Sequence, residues 1–410
     1  MLINHSDVKG GAAVVSLRLI RALNEAGVDA RMLVTERDGD PSDPLVATLG
    51  GRGANKLRFM AERLHIMLHN GGRRSTLFKI DTCRLGADAA SHSWVREADV
   101  VVLAWVNQGT LSLSGIDRIH RMGKPIVWVM HDMWNCTGVC HHAFDCTGYM
   151  ATCQSCPLIG KSGPDLATAT QARKARLYQR APIHFVAVSH WLEGVCRQSA
   201  IMRHCSVRMI FNAFPVHAYQ FERLEEPYPG VPLHKTVIIM GARRLDEDNK
   251  GLPEMLATTQ YIATARPQLA QRIHFLLYGA IKDPALLHQI AVPYTYVGEV
   301  GAAQLNGLYR HADIVLSTSL YENLPGTLIE GQASGCLPVT FGKGGQADIV
   351  DHLRSGYIAQ YKSAASVADG IEWAISHPTD RAWLHQEVAR KFAADVIARQ
   401  YISLFEEILH

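Results

Sequence analysis

The chain has 410 residues, 48% hydrophobic and 19% charged, with a formal net charge of +3. That length sets the expectation of two domains of roughly 200 residues each, the apolar content excludes a disordered chain, and the small net charge predicts no nucleic-acid partner. No apolar run reaches the roughly 20 residues of a membrane-spanning helix. The segment Met1–Asp7 has neither the basic start nor the apolar middle of a secretory signal, so a cytoplasmic location is expected. The nine cysteines are then expected as thiols or metal ligands.

In chain order, short β-branched runs alternate with longer amphipathic stretches, the pattern of an α/β protein with parallel sheets. Gly10 and Gly11 follow a short apolar start and open a stretch carrying Val14, Leu17, Leu19, Ile20 and Leu23. A glycine pair at a strand-to-helix turn lets a phosphate or sugar approach the backbone. Within residues 52–79, Arg52, Lys56, Arg58, Arg63, Arg73, Arg74 and Lys79 face one acid, Glu62, while Leu57, Met60, Leu64, Met67 and Leu68 recur at helical spacing. This predicts a basic amphipathic helix. It suits peripheral contact with an anionic membrane or a polyprenyl-linked acceptor, and equally a solvated face packed on its own domain.

Nearly continuous apolar runs at Asp99–Leu103, Ile126–Met130 and His184–Val188 predict strands covered on both faces. His131 and Asp132 follow the second at its carboxyl end, where a lone histidine is as a rule structural. Cys140, Cys146, Cys153 and Cys156 come next, spaced C-x5-C-x6-C-x2-C in a long loop without apolar periodicity. The C-x2-C knuckle suits a structural zinc held by four thiolates; reduced core thiols and disulfide pairs are the other readings.

Pro227, Pro229, Gly230 and Pro232 interrupt the alternation and put a domain boundary near residues 222–234. Strands resume at Thr236–Met240, Ile273–Tyr278 and Asp313–Ser317, and the stretch Val388–His410 reads as a helix. The expected organisation is a domain of residues 1–225 with a Cys-rich insertion near 136–157, a domain of residues 226–387, and a terminal helix, 388–410, packing back toward the first domain. Glu322 and Glu330 stand eight positions apart beyond the strand ending at Ser317, with Pro325 and Gly326 between them. The first belongs to a loop and the second to the following helix, whose free amides would face a diphosphate. Two solvated glutamates would show the same spacing. Arg244 and Lys250 offer phosphate a planar fork and a point charge, or form an exposed basic pair flanking Asp246, Glu247 and Asp248.

The surrounding segments resemble the retaining glycosyltransferases of family 4. The family's G-R-L…K-G is similar to Gly241-Ala242-Arg243-Arg244-Leu245 through Lys250-Gly251, and its F-x-G…L-Y-x-x-A-D to Tyr296-Val297-Gly298 and Leu308 through Asp313. Its paired-glutamate segment is similar to Ser317 through Glu330, and its G-x-P-V to Gly335-Cys336-Leu337-Pro338-Val339. In the first half, His131-Asp132-Met133-Trp134 through Cys156-Pro157 resembles a subgroup of colanic-acid, capsule and exopolysaccharide transferases. Ala104-Trp105-Val106-Asn107-Gln108-Gly109 does too, with Ala104 in place of that subgroup's histidine.

The resemblance implies the GT-B architecture: two Rossmann-like α/β domains with parallel sheets facing across a cleft, the first on the acceptor side and the second binding the nucleotide sugar. It implies retaining hexosyl transfer from a UDP- or GDP-sugar to a glycan or lipid-linked acceptor in surface polysaccharide synthesis, with no cofactor for catalysis. By resemblance Glu330 holds the ribose hydroxyls, Glu322 sits beside the donor sugar, and Asn323 and Leu324 belong to the same donor loop. Arg244 and Lys250 meet the diphosphate, Gly10 and Gly11 lie near the donor, and His131 is a ligand of the donor sugar. Ser189 and Asn212 also match family positions, although Ala213 and Phe214 replace the glycine and acid that usually follow. The metal-independent fold argues against reading Asp246–Asp248 as a metal-binding D-x-D. The alternative is a nucleotide-sugar-binding relative: a sugar-phosphate synthase, an epimerase or a non-catalytic binder.

Overall fold

Apolar, β-branched runs too continuous to leave one face wet form the strands of two parallel sheets. The computed structural model describes residues 1–160, 163 and 165–410. They divide into two units: Met1–Phe214 together with Ala394–His410, and Pro215–Ala393.

The first unit has a seven-stranded sheet of β1 (Leu2–Ser6), β2 (Met32–Glu36), β3 (Val46–Thr48), β4 (Val101–Leu103), β5 (Ile126–Met130), β6 (Ile183–Ala187) and β7 (Val207–Met209), ordered β3-β2-β1-β4-β5-β6-β7. β5 is buried at every position. Helix α1 (Gly11–Glu25) turns Leu19, Ile20 and Leu23 inward, and the C-terminal helix Ala394–Leu409 packs beside it through buried Ile397, Tyr401 and Leu404. The basic stretch forms helix α2 (Arg52–His69).

The second unit has a six-stranded sheet of β8 (Thr236–Arg244), β9 (Ile273–Ala280), β10 (Tyr294–Gly298), β11 (Ile314–Ser317), β12 (Leu337–Phe341) and β13 (Tyr357–Ala359), ordered β10-β9-β8-β11-β12-β13. Its core joins Ile238 and Met240 of β8, Phe275 and Leu277 of β9, Ile314 and Leu316 of β11, and Val339 and Phe341 of β12. In each sheet the order reverses once, between β1 and β4 and between β8 and β11. The loops beyond the carboxyl ends of those strands are where such sheets bind ligands.

Two boundaries differ from expectation. The division falls between Phe214 and Pro215 rather than near 222–234, because the Pro/Gly-rich stretch is fastened to the second unit. There Arg223 pairs with Asp313, Leu224 N donates to Arg310 O at 3.2 Å, and Tyr228 packs edge-on against His311. The expected 388–410 helix is two helices, Arg381–Phe392 and Ala394–Leu409, broken where Ala393 is extended at ψ 141°, and only the second belongs to the first unit.

Candidate donor site and the carboxyl edge of the first sheet

At the reversal point of the second sheet, the loop after β8 carries Lys250 and the loop after β11 carries Glu322. Lys250 Nζ donates to Glu322 Oε1 at 2.5 Å. Both side chains keep some contact with water, 24% and 17% exposed. Burial works against the Lys250 charge, but the Glu322 carboxylate outweighs it and raises the pKa, so Lys250 stays a cation. Two hydrogen bonds hold the loops in register: Leu320 N donates to Asn249 O, and the Thr318 side-chain Oγ1 donates to Gly251 O, both at 2.8 Å. Gly251 has φ +67°, and a Cβ there would stand 1.8 Å from Thr318 O, so only glycine allows this contact.

Arg244, at the end of β8, is partly exposed; its Nε lies 3.1 Å from Asp246 Oδ1. Lys282 N donates to the other Asp246 oxygen at 3.0 Å. The acid nearest Arg244 is therefore already engaged, which suits a role in setting the arginine. Asn323 is buried and Leu324 half-buried in the turn leading to the helix Gly326–Ala333. That helix starts after Pro325 with no side-chain cap and no acid in its first turn, leaving its end amides for an anion. A methyl group on Gly326 would come 3.9 Å from Glu330 Oε1, so this carboxylate leans toward the helix start. Glu322, Glu330, Lys250 and Arg244 thus lie at one sheet edge.

Gln346 braces this edge and was not singled out in the sequence. It is fully buried after the Gly-rich turn following β12. Its Oε1 accepts from Thr340 Oγ1 (2.5 Å) and Ser317 Oγ (3.2 Å), and its Nε2 donates to Ser319 O (3.1 Å) and Lys343 O (2.8 Å). The partners come from two separate segments, 317–319 and 340–343, so the network shows only in the fold. A Gln directly after Gly344-Gly345 at a strand end was the one available hint.

In the first unit, Gly10 caps α1 with φ +89°, no side chain caps that helix, and its first turn holds no acid. A Cβ on Gly10 or Gly11 would meet nothing within 4 Å, so open space lies before the helix amides. His131 follows β5. Burial lowers its pKa to about 4, against the opposing charge of Asp132, and Nε2 is shut from solvent without a hydrogen-bond partner. It is a neutral imidazole at pH 7. Asn212 and Ser16 share a small cavity with His131. Ser189 instead caps the helix His190–Gln198, accepting from Leu192 N at 3.1 Å, which gives it a structural role.

Sequence reasoning passed over the network behind His131. Asp132 accepts from Trp105 Nε1, His141 Nδ1 and Trp134 N, each at 2.8 Å. Burial alone would raise this carboxyl, but His141 and the other donors hold it down at about 2. Trp105 N donates to Asn4 Oδ1 at 2.8 Å, and His5 N to Trp105 O at 2.9 Å, so the ends of β1, β4 and β5 are stitched together. The clue was the indole and carboxylate ending two neighbouring strands.

The cysteines Cys140, Cys146, Cys153 and Cys156 come near enough for their charges to interact. None forms a disulfide. Among the described residues, no group of three or more His, Cys, Asp or Glu side chains is placed to hold a metal ion. The zinc expectation therefore has no converging ligand set behind it and rests on spacing. The loop is ordered by other means: Cys140, Cys153 and Cys156 pack on Ile66, Ile80, Val139, Ile159 and Ala167. Cys153 N also donates to Gln171 Oε1 at 2.7 Å and Cys156 N to Asp165 Oδ2 at 2.9 Å. Burial pushes the Cys140 thiol up to about 12.

Residues 234–377, which span both the Lys250 loop and the paired glutamates, match the family model described as "Glycosyl transferases group 1". The matched residues lie within the second unit. An uncharacterized glycosyltransferase of Methanocaldococcus jannaschii is 26% identical over 159 residues, 36% of this chain and 41% of that protein, so the chain spans well under half of this relative's length. Among solved structures, a glycosyltransferase from Rickettsia africae is similar over 100% of this chain and 98% of its own, with TM-score 0.64 and 13% identity. HepE of Anabaena in complex with UDP-glucose is similar over 99% and 98%, with TM-score 0.62 and 13% identity. At such identities these likenesses show the fold, which is GT-B: two Rossmann-like units, each with a parallel sheet.

Proposed function

We propose that the protein is a retaining glycosyltransferase that moves a hexosyl group from a nucleotide sugar to a glycan or lipid-linked acceptor. The observation carrying this reading is the Lys250–Glu322 pair at the reversal point of a group 1 domain, beside an uncapped helix start and with Glu330 and Arg244 on the same edge. The departing nucleoside diphosphate gathers negative charge as the glycosidic bond breaks. Fixed cations and helix amides aimed at it lower the barrier without a metal. Glu330, leaning toward the helix start, suits the ribose hydroxyls, and Glu322 suits the donor sugar.

HepE was solved with UDP-glucose, which favours a UDP-sugar as the first donor to try. Retention without an assigned carboxylate nucleophile leads to front-face attack: the acceptor hydroxyl approaches from the leaving-group side and the departing phosphate takes its proton. His131, neutral and with an unpartnered Nε2, is suited to hold a hydroxyl of the donor sugar. Its replacement by alanine should then lower kcat more than donor affinity. The test is product NMR with an α-linked nucleotide sugar. An α-linked product is expected, and a β-linked one overturns the retaining assignment. The non-catalytic-binder alternative predicts UDP binding with neither transfer nor donor hydrolysis on long incubation.

The cysteine spacing supports a structural zinc as an added tie on the 140–156 loop. Elemental analysis of protein purified in reducing buffer is expected to find about one equivalent. Finding none assigns the loop's order to its apolar and hydrogen-bonded contacts alone.

A further inference from the structure

Helix α2 has a packed inner side and an apolar outer side turned to water. Its inner side is locked in place: Arg63 pairs with the fully buried Asp81 and donates to Leu77 O at 2.6 Å. Glu62, also fully buried, accepts from Thr82 N at 3.0 Å, and Ile66 fills the core beneath. Nine residues at about 100° each put Leu57 opposite Ile66 on the helix. Met60, Leu64 and Leu68 extend Leu57 into a stripe, and Phe78 follows in the next segment. These five side chains are 51–69% exposed. A stripe of this size turned to water is unusual on a surface helix, whose outer face is normally polar.

The charges around the stripe have one sign. Arg52 and Lys56 at the helix start, and Arg73, Arg74 and Lys79 beyond its end, are exposed. The single acid of residues 52–79 is Glu62, on the inner side and uncharacteristically easy to protonate because burial raises its pKa. An apolar ridge bordered only by cations complements an anionic lipid surface, in which the ridge enters the acyl boundary and the cations meet headgroup phosphates. A second copy of the same face would set like charges against each other.

We infer that α2 and the segment to Lys79 form a membrane-docking face selective for anionic lipids. The position of the helix gives the contact a purpose. Asn55 Nδ2 donates to Thr35 O near the carboxyl end of β2 at 2.8 Å, and a Cβ on Gly109, in the loop after β4, would touch the Arg58 backbone at 3.1 Å. The docking face therefore adjoins the carboxyl edge of the first sheet, the edge that carries Gly10 and His131. A lipid-linked acceptor held in the bilayer would present its headgroup there. That last step rests on the glycosyl-transfer reading; the docking itself does not.

The test is co-sedimentation with vesicles of phosphatidylcholine alone and of phosphatidylcholine with one quarter phosphatidylglycerol. Three proteins are compared: wild type, Leu57→Ser/Leu64→Ser/Leu68→Ser, and Arg52→Gln/Lys56→Gln/Arg74→Gln. Wild type is expected on the anionic vesicles only, released by salt. The serine variant should lose binding, and the glutamine variant should bind about fivefold more weakly per cation removed. Wild type that ignores both vesicles, binds both equally, or binds no better than the serine variant overturns the inference. A dimer in light scattering that the serine variant abolishes, without vesicle binding, also overturns it and gives the face to a second copy. Thermal stabilisation by UDP, measured in parallel, should be the same in all three proteins. Its absence from all three would count against the nucleotide-sugar reading and leave the docking result standing.

Discussion

In the second unit, the polar groups at the sheet's carboxyl edge are an ion pair, Lys250 with Glu322, only partly withdrawn from water. In the first unit they are His131, kept neutral by burial, and Asp132, kept charged by donors from three other residues. The second edge offers charge to a charged ligand and brings its loops into close contact at Gly251. The first offers a neutral imidazole and spends its carboxylate internally, on stitching strand ends together. A nucleoside diphosphate needs the former environment. A sugar, which carries hydroxyls and no charge, is better met by the latter.

The comparison is open to attack at four points. The strongest concerns what holds the first unit rigid. Arg63→Ala would leave the Asp81 carboxylate buried and unpaired, so chemical denaturation should show a loss of about 3–5 kcal/mol. Affinity of the second unit for UDP should not change, and a matching fall in UDP affinity would mean the units are not the separate frames described.

The second point uses acid. His131 titrates at about 4 in the folded chain against an ordinary 6.5. Between those values the unfolded chain binds a proton that the folded chain refuses. The His131 contribution is therefore complete above pH 6.5 and disappears as the pH falls to about 4, a total of about 3 kcal/mol. Asp132, depressed to about 2, adds a further loss below its ordinary 3.8. Melting temperatures followed from pH 7 to 4 should fall less steeply in His131→Asn than in wild type. Parallel curves would remove the neutral-imidazole account.

The third point is the ion pair itself. Lys250→Ala should weaken UDP binding by about 1.5–3 kcal/mol, read by calorimetry. If UDP and GDP bind the variant as tightly as wild type, the charged edge is not the diphosphate site. The smallest effect separates architecture from chemistry at a position the family pattern shares. Ser189→Ala should cost about 1 kcal/mol of stability through its helix cap and leave kcat unchanged. A fall in kcat without a stability loss would move Ser189 into the site.

Strand identity was legible because both-face burial needs unbroken apolar runs, and β5, β9 and β11 lie within a residue or two of where such runs predict them. The placement of Lys250 and Glu322 at the second sheet's carboxyl edge was legible because they sit in short loops directly after strands: Lys250 follows β8 by six residues and Glu322 follows β11 by five. What escaped were roles shared between distant segments. Gln346, with partners on two segments, and the Trp105–Asp132–His141 set have no strong local pattern to announce them. The Pro/Gly-rich stretch misled because proline and glycine mark irregular backbone, which here is bound down by Arg223 and Tyr228 rather than spanning a boundary. The cysteine knuckle was read as a metal site on spacing, a signal that says nothing of whether the four thiols converge.

The helix Ala394–Leu409 gives the chain a nested order, in which everything from Pro215 to Ala393 is an insertion within the first unit. A stop codon anywhere in the second unit's coding stretch would therefore damage both units, because it deletes the Ile397, Tyr401 and Leu404 side chains that cover α1. On the ribosome, the first unit to be started is the last to be finished. It waits for the final helix while the inserted unit, whose residues are all already made, is free to fold.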